Sequence, residues 1–140
     1  KGLGAPIGSV LLGSKTFIKR ARKVRKAFGG GMRQVGILAA AGLYALENNI
    51  ERLAIDHQNI KTIAESIANL NYISSVVTPE TNILIFDLID SIEVPTFLNY
   101  LKENNILAVQ FGPKTIRFVT HLDLKKEDID TVCQVLEKYQ

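Results

Sequence analysis

The sequence predicts an α/β protein built in two unlike parts, and three observations predict it. Apolar residues recur at helical spacing through three successive segments between Lys15 and Leu70, interrupted by the run Gly29, Gly30, Gly31. Beyond Asn71 the pattern changes to short β-rich runs that alternate with amphipathic helices. Charge changes along the chain as well: Lys1 to Leu46 holds nine Lys or Arg and no Asp or Glu, whereas Glu47 to Gln140 holds eight against fourteen. A segment without acidic residues either meets an anion or has its counter-charges on other sequence.

Taken in order, Ser9 to Leu12 is an apolar run closed by Gly13, the pattern of a buried strand. Ser14 is placed to cap a helix from Lys15 to Phe28, in which Phe17, Ile18, Ala21, Val24 and Ala27 or Phe28 share one face. Three glycines stop it and redirect the chain. Met32 to Asn48 then reads as a second helix, apolar nearly all round and therefore expected to be buried, at an interface. Ile50, Leu53, Ala54, His57, Ile60, Ile63, Ala64 and Ile67 mark one face of a long helix that ends near Leu70 and links the two parts. Strands are expected at Ile73 to Val77, Asn82 to Leu88, Ile106 to Gln110 and Thr115 to Thr120, with helices at Val94 to Asn104 and Lys125 to Tyr139. In the last helix Cys133 lines up with Ile129, Val132 and Leu136 as core.

With 140 residues, 46% of them hydrophobic, the chain is large enough to bury a core and too short for two full-sized domains. Its longest apolar stretch, Ile37 to Leu46, falls well below the roughly 20 residues that cross a bilayer, and nothing near the start resembles a signal peptide. No membrane association and a cytoplasmic setting are the default expectations. The single cysteine excludes an internal disulfide framework. Lys1 opens directly into a Gly-rich turn without a preceding Met, so the chain is read as a piece of something longer. Lys15, Lys19, Arg20, Arg22, Lys23, Arg25 and Lys26 crowd one helix, but no aromatic residues are interleaved with them as in a nucleic-acid platform, and a solvated face is the favoured reading. No His, Cys or carboxylate cluster has metal-ligand spacing, and no Ser-His-Asp arrangement suggests itself.

Four cations are candidates for chemistry. Lys1 precedes Gly2, Leu3, Gly4, Ala5 and Pro6, a small-residue turn that another molecule can approach closely; by itself this suits an exposed lysine equally well. In the run TIRFVT, Ile116 and Phe118 point to one face of a strand while Thr115, Arg117 and Val119 point to the other, which leaves Arg117 off the core side. Arg33 follows the glycine run at the start of a helix, where unpaired N–H groups and the helix dipole favour an anion, although a solvated arginine on a hinge fits the local pattern too. Lys26 is the helix cation closest to that run. His57 falls on an apolar helix face and reads as a hydrogen-bonded structural residue, and His121 follows the strand of Arg117.

In residue identity, spacing and order, KGLGAPIGSVLLGS followed by a basic helix and GGGMRQVGILAAAGLYAL resembles the threonine aldolases. ERLAIDH at Glu51 to His57 and IRFVTH at Ile116 to His121 extend the likeness over the whole chain. The resemblance implies the pyridoxal 5'-phosphate (PLP)-dependent transferase fold type I, like aspartate aminotransferase. Residues 1–54 would end the large PLP-binding domain, and residues 55–140 would form the small carboxy-terminal domain. It makes Lys1 the Schiff-base lysine, Arg117 the partner of the substrate α-carboxylate, and Arg33 a ligand of the PLP phosphate of a neighbouring subunit, with Lys26 in a secondary role near the cofactor. The implied reaction is retro-aldol cleavage of L-threonine or L-allo-threonine to glycine and acetaldehyde. The implied partners are the amino-acid substrate, the amino-terminal part of the same enzyme, and further copies in a homo-oligomer, tetramer or dimer. Since the other catalytic groups of the family precede its lysine, this segment alone is expected to be inactive. Another PLP-dependent lyase of this fold acting by β-elimination, and a non-catalytic basic nucleic-acid-binding module, are the competing readings.

Overall fold

In the computed structural model, which describes residues 2–139, the chain divides between Ile50 and Glu51 into two units. The first holds two helices. Helix α1 spans Lys15–Ala27, begun by Ser14, whose Oγ accepts the Phe17 N–H at 3.3 Å. It ends in a Schellman arrangement: Gly29 takes φ of 80°, its N–H donates to the Lys26 carbonyl at 3.1 Å, and the Gly30 N–H donates to the Arg25 carbonyl at 2.8 Å. Helix α2 spans Gly36–Asn48, four residues later than the sequence predicts, because Gln34 has φ of 51° and cannot continue a right-handed helix.

One expectation for this unit fails, and the cover expected for α2 is not found within it. Ser9 to Leu12 is irregular rather than a strand, with Val10, Leu11 and Leu12 exposed; the unit contains no other strand among the described residues, so its N–H and C=O groups have no ladder to join. Helix α2 buries only Ala45, and Ile37, Leu43, Tyr44 and Leu46 are exposed, so its apolar girth finds no cover within the unit.

The second unit has its own core. Helix α3 (Leu53–Ile67) is followed by β1 (Ile73–Val77), β2 (Ile83–Leu88), α4 (Val94–Glu103), β3 (Val109–Gln110), β4 (Thr115–Val119) and α5 (Lys126–Lys138). The sheet is antiparallel throughout, in the order β1-β2-β4-β3. Leu84, Phe86 and Leu88 of β2 and Ile116 and Phe118 of β4 alternate onto one face, where they meet Ile60, Ile63 and Ile67 of α3, Phe97 and Leu101 of α4, and Ile129 and Leu136 of α5. Phe86 and Phe118 pack edge to face at 5.3 Å. Strand β3 is shorter than predicted: Asn105, at φ of 61°, turns the chain after α4, and Leu107 stays exposed. Cys133 packs against the core as its helical register implies.

Candidate active site

The antiparallel register sets what surrounds Arg117. In the centre of β4 it pairs with Ile85 of β2 on one side and Val109 of β3 on the other, and the alternation that buries Ile116 and Phe118 turns Arg117 to the opposite face. It is half-buried there. Its Nε is shut off from solvent and has no hydrogen-bond partner, and no ion pair of the described residues includes it. The carboxylate nearest in register on this face is Asp87, opposite Thr115. Asp87 is engaged elsewhere: it accepts from Thr115 Oγ1 at 2.6 Å and from Ser75 Oγ at 2.9 Å. The guanidinium carbon lies 5.4 Å from the centroid of the Phe111 ring. Arg117 is thus a cation with one face covered and its donors unspent, a geometry suited to receiving a planar carboxylate.

The strand beneath it is tied down just beyond its end. Thr120 donates from Oγ1 to the Asp56 carbonyl at 2.7 Å and from its N–H to the Asn82 carbonyl at 3.0 Å, while Asn82 Nδ2 donates back to the Thr120 carbonyl at 2.6 Å. Asp56, fully buried, is held by a two-pronged contact with Arg52 at 2.9 and 3.0 Å. These bonds join the ends of β4, β2 and α3 and give Arg117 a rigid base. His121 lines a cleft of about 440 Å³ with Ile63, Phe118, Leu124 and Val132, of which Arg117 is not part. His57 is half-buried, and none of the described hydrogen bonds reaches its ring, so the expectation of a hydrogen-bonded histidine is not met.

Of the other sequence candidates, Lys1 lies outside the described residues. Lys26 and Arg33 stand on either side of the glycine run in the first unit. The Lys26 side chain lies so close to Gly31 that a Cβ there would meet its Cδ at 3.0 Å and its Nζ at 3.8 Å. Arg33 opens the turn that precedes α2 and is exposed. Neither cation has an ion-pair partner among the described residues. Phe111, Asp87, Thr120 and Asn82 escaped the sequence reading. The Gly112-Pro113 turn between two β-rich runs was the available signal, since a hairpin there returns Phe111 toward Arg117.

Residues 1–91 match the model of the beta-eliminating lyase family. The chain belongs to that family. As a beta-eliminating lyase family member it is 44% identical over 132 residues to the low specificity L-threonine aldolase of Escherichia coli (strain K12), covering 94% of this chain and 38% of that protein. It is 41% identical over 132 residues to low-specificity L-threonine aldolase 1 of Arabidopsis thaliana, covering 92% and 37%. The chain therefore spans little more than a third of the length of these relatives. Among solved structures, a C-DES mutant with glycine covalently linked to its PLP cofactor superposes with a TM-score of 0.59 at 18% identity, over 75% of this chain and 28% of that one. That likeness shows the fold: PLP-dependent type I, here α/β with an antiparallel sheet.

Proposed function

We propose that the complete protein carrying this chain is a PLP-dependent carbon-carbon lyase that cleaves L-threonine or L-allo-threonine to glycine and acetaldehyde. One observation carries the reading: a half-buried arginine on a pinned strand, with no ion pair among the described residues, in a chain this similar to threonine aldolases. Arg117 binds the α-carboxylate of the substrate through the edge of its guanidinium and so fixes which substituent of Cα faces the reacting centre. Lys1 is the proposed anchor of PLP. Lys26 and Arg33, two cations without carboxylate partners among the described residues, stand on either side of a glycine run; their charge suits a phosphate, and we assign Arg33 to the PLP phosphate of a neighbouring subunit and Lys26 to a secondary role near the cofactor. PLP, when bound, supplies the electron sink for the pair released from the Cα–Cβ bond.

On the same reading, residues 1–54 end the large PLP-binding domain and residues 55–140 form the small domain. The exposed apolar side chains of α2 are consistent with cover by the rest of the enzyme or by further copies in a homo-oligomer. A cytoplasmic setting agrees with the lone cysteine; no helix of the described residues is long and apolar enough to cross a membrane.

Kinetics of the complete protein test the assignment. Two hydrogen bonds to a charged group, each worth about 1.5–3 kcal/mol, mean that Arg117→Ala should lower kcat/KM for L-threonine by at least about 100-fold. Arg117→Lys, which keeps the charge and loses the fork, should recover only part of it. Native activity in Arg117→Ala would reject the role of Arg117, and release of ammonia and a keto acid in place of glycine and acetaldehyde would reject the aldolase.

A further inference from the structure

Phe111 is 59% exposed and stands apart from the core cluster, yet its position is closely specified. It follows β3 at the start of the turn into β4. Its N–H donates to the Thr115 carbonyl at 2.9 Å, and Gln110 Nε2 donates to the Gly112 carbonyl at 3.0 Å. On the far side of the turn Lys114 Nζ donates to the carbonyls of Asp90 and Ile92, each at 2.8 Å, while Thr115 Oγ1 donates to Asp87. A hairpin tied on both sides thus holds an exposed aromatic ring over the guanidinium of Arg117.

We propose that Phe111 is a positioning residue for carboxylate capture. Its ring fixes the plane of the Arg117 guanidinium and shields one face from water, leaving the terminal Nη donors, and not the buried Nε, open to a planar carboxylate. The proposal rests on the reading of Arg117 as the carboxylate-binding residue. Three features support it. A long arginine side chain free in water spreads over many rotamers, and ordering it before the ligand arrives removes that cost from binding. Stacking on an aromatic face uses the guanidinium's π surface and none of its N–H donors, so it does not compete with a carboxylate as Asp87 would. Asp87 itself is held by the hydroxyls of Ser75 and Thr115, and Arg117 has no ion pair among the described residues.

Glycine, the smallest amino acid with this carboxylate, is the probe, titrated calorimetrically into the complete PLP-loaded protein. Because Phe111 is exposed and outside the core, its replacement should leave the melting midpoint unchanged. Phe111→Ala and Phe111→Leu should each raise the glycine dissociation constant about fivefold, the upper end for a cation–π contact at an exposed site. Phe111→Tyr should restore it to within about twofold. In the Arg117→Ala background, which weakens binding on its own, Phe111→Ala should add nothing, since the two residues act through one contact. Native affinity in Phe111→Ala, equal rescue by Leu and Tyr, or additive losses in the double variant would overturn the positioning role while leaving Arg117 in place. If Arg117→Ala itself bound glycine like the native protein, the underlying reading would fail and Phe111 with it.

Discussion

Replacing Asp56 and Arg52 one at a time should destabilise the second unit unequally, and the structure says in which order. Asp56 is 0% exposed and its carboxylate takes both prongs of the Arg52 guanidinium, whereas the Arg52 side chain remains 22% exposed. Removing one partner of a buried pair costs roughly 3–5 kcal/mol, because the other is left charged and uncompensated. Arg52→Ala strands a carboxylate that cannot reach water. That puts its cost at the upper end of the range, about 5 kcal/mol; Asp56 sits in the first turn of α3, so the helix dipole offsets up to about 1 kcal/mol, leaving about 4 kcal/mol. Asp56→Ala strands a guanidinium that can turn to solvent, which places its cost near the lower bound, about 3 kcal/mol. The assay is native-state hydrogen exchange of the β2 and β4 amides, which reports opening of this unit irrespective of the rest of the protein. A larger loss for Asp56→Ala than for Arg52→Ala, or losses below about 1 kcal/mol for both, as for an exposed pair, would refute the reasoning.

Two further outcomes are expected. Burial, with Tyr100 and Tyr139 adding to it, raises the Tyr72 phenol above its ordinary value, and its hydroxyl donates to the Leu136 carbonyl at 2.7 Å. A folded-state value above the unfolded one stabilises fully below pH of about 10 and is lost as pH rises further; the melting temperature should therefore fall above that pH, and fall less in Tyr72→Phe. Tyr139, raised by burial and then by Tyr100, should keep a residual slope in that variant. For Arg117→Met, removal of a buried unpartnered donor should stabilise the second unit by about 1 kcal/mol in thermal or urea denaturation while glycine binding is lost; a destabilised variant would mean that Arg117 has a structural partner.

What the sequence disclosed of the fold depended on whether an element carries its own reason to form. The elements of the second unit bury residues against one another, so period-2 and period-3.6 patterns at Ile83–Leu88, Thr115–Val119 and Lys126–Lys138 record their faces directly. Helix α1 was legible for another reason, a serine cap at one end and a glycine stop at the other. Ser9 to Leu12 has no such internal support. An apolar run states that it is to be covered and paired, but a ladder needs a second strand, and this unit offers none among the described residues. The same holds for α2, whose girth predicts burial without naming the partner. The late start of α2 turns on the positive φ of Gln34, which no hydrophobic period encodes.

The candidate site was legible by residue type more than by arrangement. Alternation in TIRFVT is enough to turn Arg117 off the core, and the half-burial of β4 bears that out. Its pairing state could not be read the same way, because it depends on who stands opposite. Antiparallel register sets Ile85 and Val109 beside Arg117 and puts Asp87 next to Thr115, where two hydroxyls occupy the carboxylate. Shifting β2 by one residue would send Ile85 and Asp87 to the core face and remove both features at once. A half-buried guanidinium with an unsatisfied Nε is a cost that folding alone has no reason to bear, since an apolar residue at the centre of β4 would pack there without it. The strand is nevertheless fixed at Thr120 by bonds to Asp56 and Asn82, so the rigidity of the unit is spent on holding that unpaired cation in place. Local stability given up at one residue, with its surroundings made more rigid, is what a binding group requires, and this is the physical ground, beside the resemblance, on which the role of Arg117 is proposed.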